Sequence, residues 1–199
     1  MERLGVFGGT FNPIHLGHLN LVRCVARELK LDKVLLIPTF IPPHKQASEL
    51  ADGFHRLEMC RLAAAEDRFI EVSDLELKRG GASYTYLTLE ELHRAAPDRQ
   101  LFLIVGGDML RTFHQWKNWK SILELSMLCA AARTEQEYAE LEQDACRLST
   151  IGKGCCLLTI PILEISSTEI RRQIRMGMDT GGCLDRKVAD YITDKGLYK

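Results

Sequence analysis

At 199 residues, with 46% apolar and 27% charged side chains, the chain is expected to form one domain, spanning 1–199, with a substantial core. A formal net charge of −1 excludes a generally basic surface. Nucleic acid is therefore not an expected partner, and any phosphate binding must come from local geometry. No apolar run reaches the length of a membrane span, no signal-like segment opens the chain, and the seven scattered cysteines include no C-x-x-C. Together these predict no membrane association and a cytoplasmic protein with reduced thiols.

The run Leu4-Gly5-Val6-Phe7 reads as a buried strand, and Leu19, Val22, Ala26 and Leu29 share a helical stripe. Between them, Gly8 to His18 is a strand-to-helix turn. In open α/β sheets ligands sit beyond the carboxyl ends of strands, where free N–H groups and the helix dipole favour an anion. Gly8 and Gly9 let a phosphate approach the backbone. His15 and His18, three apart, are expected to face the same way on the first helical turn, with Gly17 leaving a flat surface between them. The spacing of Gly5, Gly8 and Gly9 does not make a dinucleotide fingerprint, and no P-loop follows. A zinc site would need a third ligand from elsewhere, so no metal ligand is assigned.

Val34 to Ile37 gives a second strand, ended by Pro38, and an irregular loop spans Thr39 to Asp52. In that loop Lys45 could act as a mobile point charge for a phosphate. Phe54 to Glu66 reads as helix, Phe69 to Val72 as strand, and Lys78 to Ala82 as a Gly-rich charged loop. Another helix starts near Ser83, a candidate N-cap, and stops before Pro97. Its N-terminus beside Thr85 suits a carboxylate.

Gln100 to Val105 is the clearest buried strand, and Gly106-Gly107-Asp108 follows it. Asp108 is placed either to hold ribose hydroxyls or to cap the next helix. Trp119 reads as core, while Trp116 is the better candidate for stacking on a flat heteroaromatic ring. Ser126 to Ala131 forms a strand leading to Arg133, and Glu135 to Arg147 a charged helix. Two glycines turn the chain at 151–156, and Leu157 to Ile162 is the last strand. Ser166 and Glu169 fit a capping box. The hydroxyls of Ser166, Ser167 and Thr168, with Arg171 close behind, would make a second phosphate cradle. A final helix, Asp185 to Lys195, stops at Gly196. The expected fold is α/β: a Rossmann-like, doubly wound, mainly parallel sheet flanked by helices, with a small C-terminal helical portion.

The turn Gly8-Gly9-Thr10-Phe11-Asn12-Pro13-Ile14-His15-Leu16-Gly17-His18 resembles the HxGH motif of the nucleotidyltransferase superfamily. Further segments make the chain similar, over nearly its whole length, to the nicotinate mononucleotide adenylyltransferase family. They are Pro42 to Lys45, Ser83-Tyr84-Thr85, Gly106 to Asp108, Trp116 to Trp119 and Ile165 to Arg171. The resemblance implies transfer of AMP from ATP to nicotinate mononucleotide, yielding deamido-NAD and pyrophosphate in NAD biosynthesis, with Mg²⁺ arriving on the ATP. It makes His15 and His18 the catalytic donors. It assigns ATP to Gly8, Gly9, Thr10, Phe11, His15, His18, Gly106, Asp108, Arg133, Ser166, Ser167, Thr168 and Arg171. The mononucleotide falls to Lys45, Tyr84, Thr85, Asp108 and Trp116. The chain departs from the family at Leu87, usually aspartate, and at Asp185, usually proline. No nucleophile stands beside a base, so catalysis must rest on alignment and charge neutralisation. Whether the chain forms a homo-oligomer is left open by the sequence.

Overall fold

The computed structural model describes residues 1–42, 50–161 and 163–199. The alternation of short apolar runs with amphipathic stretches resolves into β1 (Arg3–Gly9), α1 (Leu16–Glu28), β2 (Lys33–Pro38), α2 (Gly53–Ala64) and β3 (Ile70–Val72) in the first half. Helices α3 (Leu75–Arg79) and α4 (Thr85–Ala95) then cross to β4 (Gln100–Gly106). Next come α5 (Gly107–Thr112), a 3₁₀ turn over Phe113–Gln115, α6 (Trp119–Leu125), β5 (Ser126–Ala132), α7 (Glu135–Ser149) and β6 (Cys155–Thr159). Helices α8 (Ser167–Arg175) and α9 (Arg186–Lys195) follow.

The sheet order is β3-β2-β1-β4-β5-β6, and every pairing is parallel. The winding therefore reverses between β1 and β4, which opens a crevice beyond their carboxyl ends. Strand alternation sorts the core to the two faces. Phe7, Phe102 and Ile104 pack with α1, α2, α8 and α9 on one face. Leu4, Val6, Leu103 and Val105 pack with α4 to α7 on the other. Gly5 sits mid-strand because a Cβ there would lie 2.9 Å from both Leu31 and Val34. Among the described residues, no helix is long and apolar enough to cross a membrane.

Three local expectations are corrected. The stretch before Gly80 is not all loop, because α3 forms there and buries Glu76. Helix α4 starts at Thr85 with Tyr84 as N-cap, since the Ser83 hydroxyl is taken by the Phe40 N–H at 2.9 Å. The last strand is shifted earlier, to Cys155–Thr159, beside β5. Trp116 and Trp119 lie on either side of Asn118, which at φ 53° separates the 3₁₀ turn from α6. The final helix agrees with expectation, with Asp185 accepting the Lys187 N–H at 2.8 Å and Gly196 ending it at φ 62°. All seven cysteines are free thiols.

Candidate active site

At the β1/β4 switch point lies an open cleft of about 1230 Å³. Every site residue expected from sequence lines it except Lys45, which falls outside the described residues. The turn after β1 forms its floor. Phe11, at φ 48° and buried, folds its ring back so that a Cβ on Gly9 would lie 2.8 Å from it. By contrast a Cβ on Gly8 would meet nothing within 4 Å. The backbone there is open to a ligand.

His15 is not within α1 but is its N-cap, in extended conformation at φ −144°. Its N–H donates to His18 Nδ1 at 3.2 Å, and the two rings stack at 3.6 Å. With Nδ1 accepting, a neutral His18 carries its proton on Nε2 and is a donor there. Phe11 meets the His18 ring edge-on at 5.2 Å. Burial pulls the His15 pKa down to about 4, so its imidazole is neutral at pH 7. Gly17 is demanded by this stack, since a Cβ would lie 3.0 Å from both His15 Nδ1 and the Leu163 carbonyl.

The expected capping box on α8 does not form. Glu169 instead makes a bidentate pair with Arg172, at 2.6 and 2.8 Å, one turn along the helix. No side chain caps the N-terminus, so its first N–H groups stay available on the cleft side. Ser167 and Arg171 point back to the first turn: the Ser167 hydroxyl donates to the Pro13 carbonyl at 3.0 Å, and Arg171 Nη1 to the Asn12 carbonyl at 2.9 Å. The starts of α1 and α8 thus face one space, with Thr168 and Arg133 on its wall.

Across the cleft, the Asp108 carboxylate folds over Gly106, where a Cβ would lie 2.7 Å from Oδ1. Asp108 is exposed in the first turn of α5. Trp116 is half-buried on the wall and rests against Phe113 at 5.4 Å. Trp119 packs on the same phenylalanine at 6.3 Å but does not line the cleft. Tyr84 and Thr85 sit at the start of α4, which no side chain caps. Leu87 is not among the lining residues.

Three residues were missed from sequence. Arg56 is 1% exposed, and its guanidinium donates to the carbonyls of Ala51 at 2.8 Å and Thr10 at 2.9 Å, with Phe40 at 3.4 Å. A legible sign existed: a lone arginine on the same helical stripe as Met59, Cys60 and Ala63. Lys117 lies over the Tyr84 ring at 4.3 Å, and Glu76 lines the cleft with Oε1 accepting the Thr88 hydroxyl at 2.6 Å. Neither carried a sequence signal, because each depends on a contact between elements.

The cytidylyltransferase-like family model matches residues 6–173. The chain belongs to the cytidylyltransferase-like family. Within that family, it is 38% identical over 199 residues to a Desulfitobacterium hafniense protein named "probable nicotinate-nucleotide adenylyltransferase", covering 100% of this chain and 96% of the relative. A Clostridium tetani protein of the same name is 37% identical, with 100% of both chains covered. The fold is that of Plasmodium falciparum nicotinic acid mononucleotide adenylyltransferase. The structure complexed with NaAD superposes with TM-score 0.81 and that with APC with TM-score 0.79, each at 18% identity and covering 100% of this chain and 98% of that one.

Proposed function

We propose that this member of the family, acting as one nucleotidyltransferase domain over 1–199, transfers AMP from ATP to nicotinate mononucleotide and releases pyrophosphate. The observation that carries the reading is one space shared by the stacked His15 and His18 at the start of α1 and by the start of α8, which no side chain caps. Imidazole donors at one end of the space and helix N–H groups at the other suit a triphosphate.

The 5′-phosphate of the mononucleotide attacks the α-phosphorus. Its oxygen–phosphorus bond forms as the bond from the α-phosphorus to the bridging oxygen breaks, and pyrophosphate leaves. By analogy with phosphorylated side chains its second pKa is about 6, so the attacking group is already a dianion and needs no base. The chain's contribution is alignment and charge stabilisation. His18 Nε2–H and the N–H groups after Gly8 serve the α-phosphate as charge builds on its oxygens. Ser166 to Thr168 and Arg171 hold the departing end. A triphosphate beside neutral His15 favours its cation, so nucleotide binding draws that pKa upward from about 4.

Mg²⁺ fits this cleft as an ion riding on the phosphates. Exposed Asp108 and Glu164 on the wall can meet its waters, and such an ion usually keeps several of them. When bound it neutralises charge on the triphosphate. On the acceptor side, Trp116 offers a stacking face, and the start of α4 with Lys117 nearby suits the pyridine carboxylate. Lys45 is proposed to add charge to the phosphates.

The test incubates the protein with Mg-ATP and either nicotinate or nicotinamide mononucleotide and follows pyrophosphate. Faster release with the acid is expected. Equal rates would overturn the reading of the α4 start, and no release with either would overturn the reaction.

A further inference from the structure

The segment beyond α9 does not trail off the surface. Gly196 ends the helix in the left-handed region, and the Leu197 N–H returns to the Ile192 carbonyl at 3.0 Å. This reversal carries Tyr198 under the turn that follows β1. Tyr198 itself holds φ 65°, a region that non-glycine residues rarely occupy, and such outliers persist only where their surroundings enforce them. Its hydroxyl donates to Asn12 Oδ1 at 2.9 Å, across 186 positions of sequence. The same oxygen accepts the Ala51 N–H at 3.0 Å.

Asn12 is 7% exposed and lines the cleft between Phe11, which meets the His18 ring, and His15 itself. Arg56 grips the Thr10 carbonyl and Arg171 the Asn12 carbonyl, and both guanidiniums lie near enough to the Tyr198 phenol to act on its charge. Burial outweighs them and pushes the phenol's ionisation upward, so the hydroxyl stays a donor.

We propose that Tyr198 is a positioning residue for the triphosphate: by holding the Asn12 side chain it fixes the turn that presents Phe11, His15 and His18 to the nucleotide. This rests on the function proposed above and assigns it a contributor far from the motif. The Tyr198 hydroxyl reaches the turn at the Asn12 side-chain oxygen, so removing it loosens the alignment without removing any group that touches the nucleotide.

The experiment compares wild type with Tyr198→Phe, which keeps the ring packed. Three readouts are taken: thermal midpoint, Mg-ATP affinity by titration calorimetry, and kcat and KM for each substrate. For the loss of one hydrogen bond the expected result is a fall of about 2- to 10-fold in kcat/KM for ATP. KM for nicotinate mononucleotide should be unchanged, and ATP affinity reduced. Unaltered ATP parameters would overturn the proposal. So would an equal loss for both substrates that tracks a fall in thermal midpoint, because that marks a structural role alone. If wild type binds Mg-ATP but releases no pyrophosphate, the proposed reaction fails. Tyr198 is then judged by ATP affinity in the variant: weaker upholds the proposal, equal overturns it. A wild-type protein that binds no Mg-ATP overturns both.

Discussion

The two walls of the cleft are built differently. On the side of the first turn, the carbonyls of Thr10, Asn12 and Pro13 are each taken by a side-chain donor, from Arg56, Arg171 and Ser167. Opposite, the wall rests on the short α5, a 3₁₀ turn and the ring contacts of Phe113, Trp116 and Trp119. The first wall is locked by directional bonds and the second by packing. On the proposed function, the directional bonds are concentrated where charge would develop at phosphorus, and the aromatic wall is left to settle on a ring.

The hardest blow to this contrast falls on the locked wall. His18→Ala should lower turnover by roughly two to three orders of magnitude, with an unchanged circular dichroism spectrum. Turnover near the wild-type rate would mean the stack is not the catalytic centre. Next comes Arg56→Met, which leaves the carbonyls of Ala51 and Thr10 without their donor. Urea unfolding should show a loss of about 2 kcal/mol, roughly 1 for each half-buried acceptor. A loss below about 0.5 kcal/mol would show that the turn holds itself.

A pH series sharpens the same point. Burial holds the folded pKa of His15 at about 4, below the ordinary 6.5 of an imidazole, so between those values the unfolded state binds more protons. Stability should therefore rise with pH across this window, by up to about 3 kcal/mol from that one group. His15→Gln should flatten that part of the curve, and an identical slope in the variant would show that His15 is not desolvated. The smallest effect is expected on the opposite wall. Trp116→Ala should raise KM for the mononucleotide about 10-fold, as the loss of one ring contact allows, and leave KM for ATP unchanged. Equal changes for both substrates would erase the distinction between the walls.

That distinction also governs what sequence could reveal. The locked wall comes from two continuous stretches, Gly8 to His18 and Ser166 to Arg171, whose residue types imply their chemistry before any folding. What they conceal is their partners. Ser166 and Glu169 have the spacing of a capping box, yet Arg172 outbids Ser166 for the carboxylate by offering a bidentate partner within the helix. Ser83 looked like a cap, but the Phe40 N–H reaches it first from 43 positions away. On the packed wall, Trp116 and Trp119 were separable by role, but the left-handed Asn118 that splits them onto two elements was not. Arg56 was passed over although its place on the Met59–Cys60–Ala63 stripe was legible, because the three carbonyls around it come from other parts of the chain.

The Glu169–Arg172 pair has an effect on salt sensitivity. Hydrogen bonding to Arg172 holds the Glu169 carboxyl below its ordinary range and keeps it ionised beside its partner. A carboxylate released from that tether would be an internal rival for the same N–H groups that a nucleotide needs. Added electrolyte weakens exposed ion pairs and long-range attraction to phosphate together. Binding should then decline with ionic strength faster than screening alone dictates, with Arg172 acting as the guard that keeps the helix from answering to its own acid.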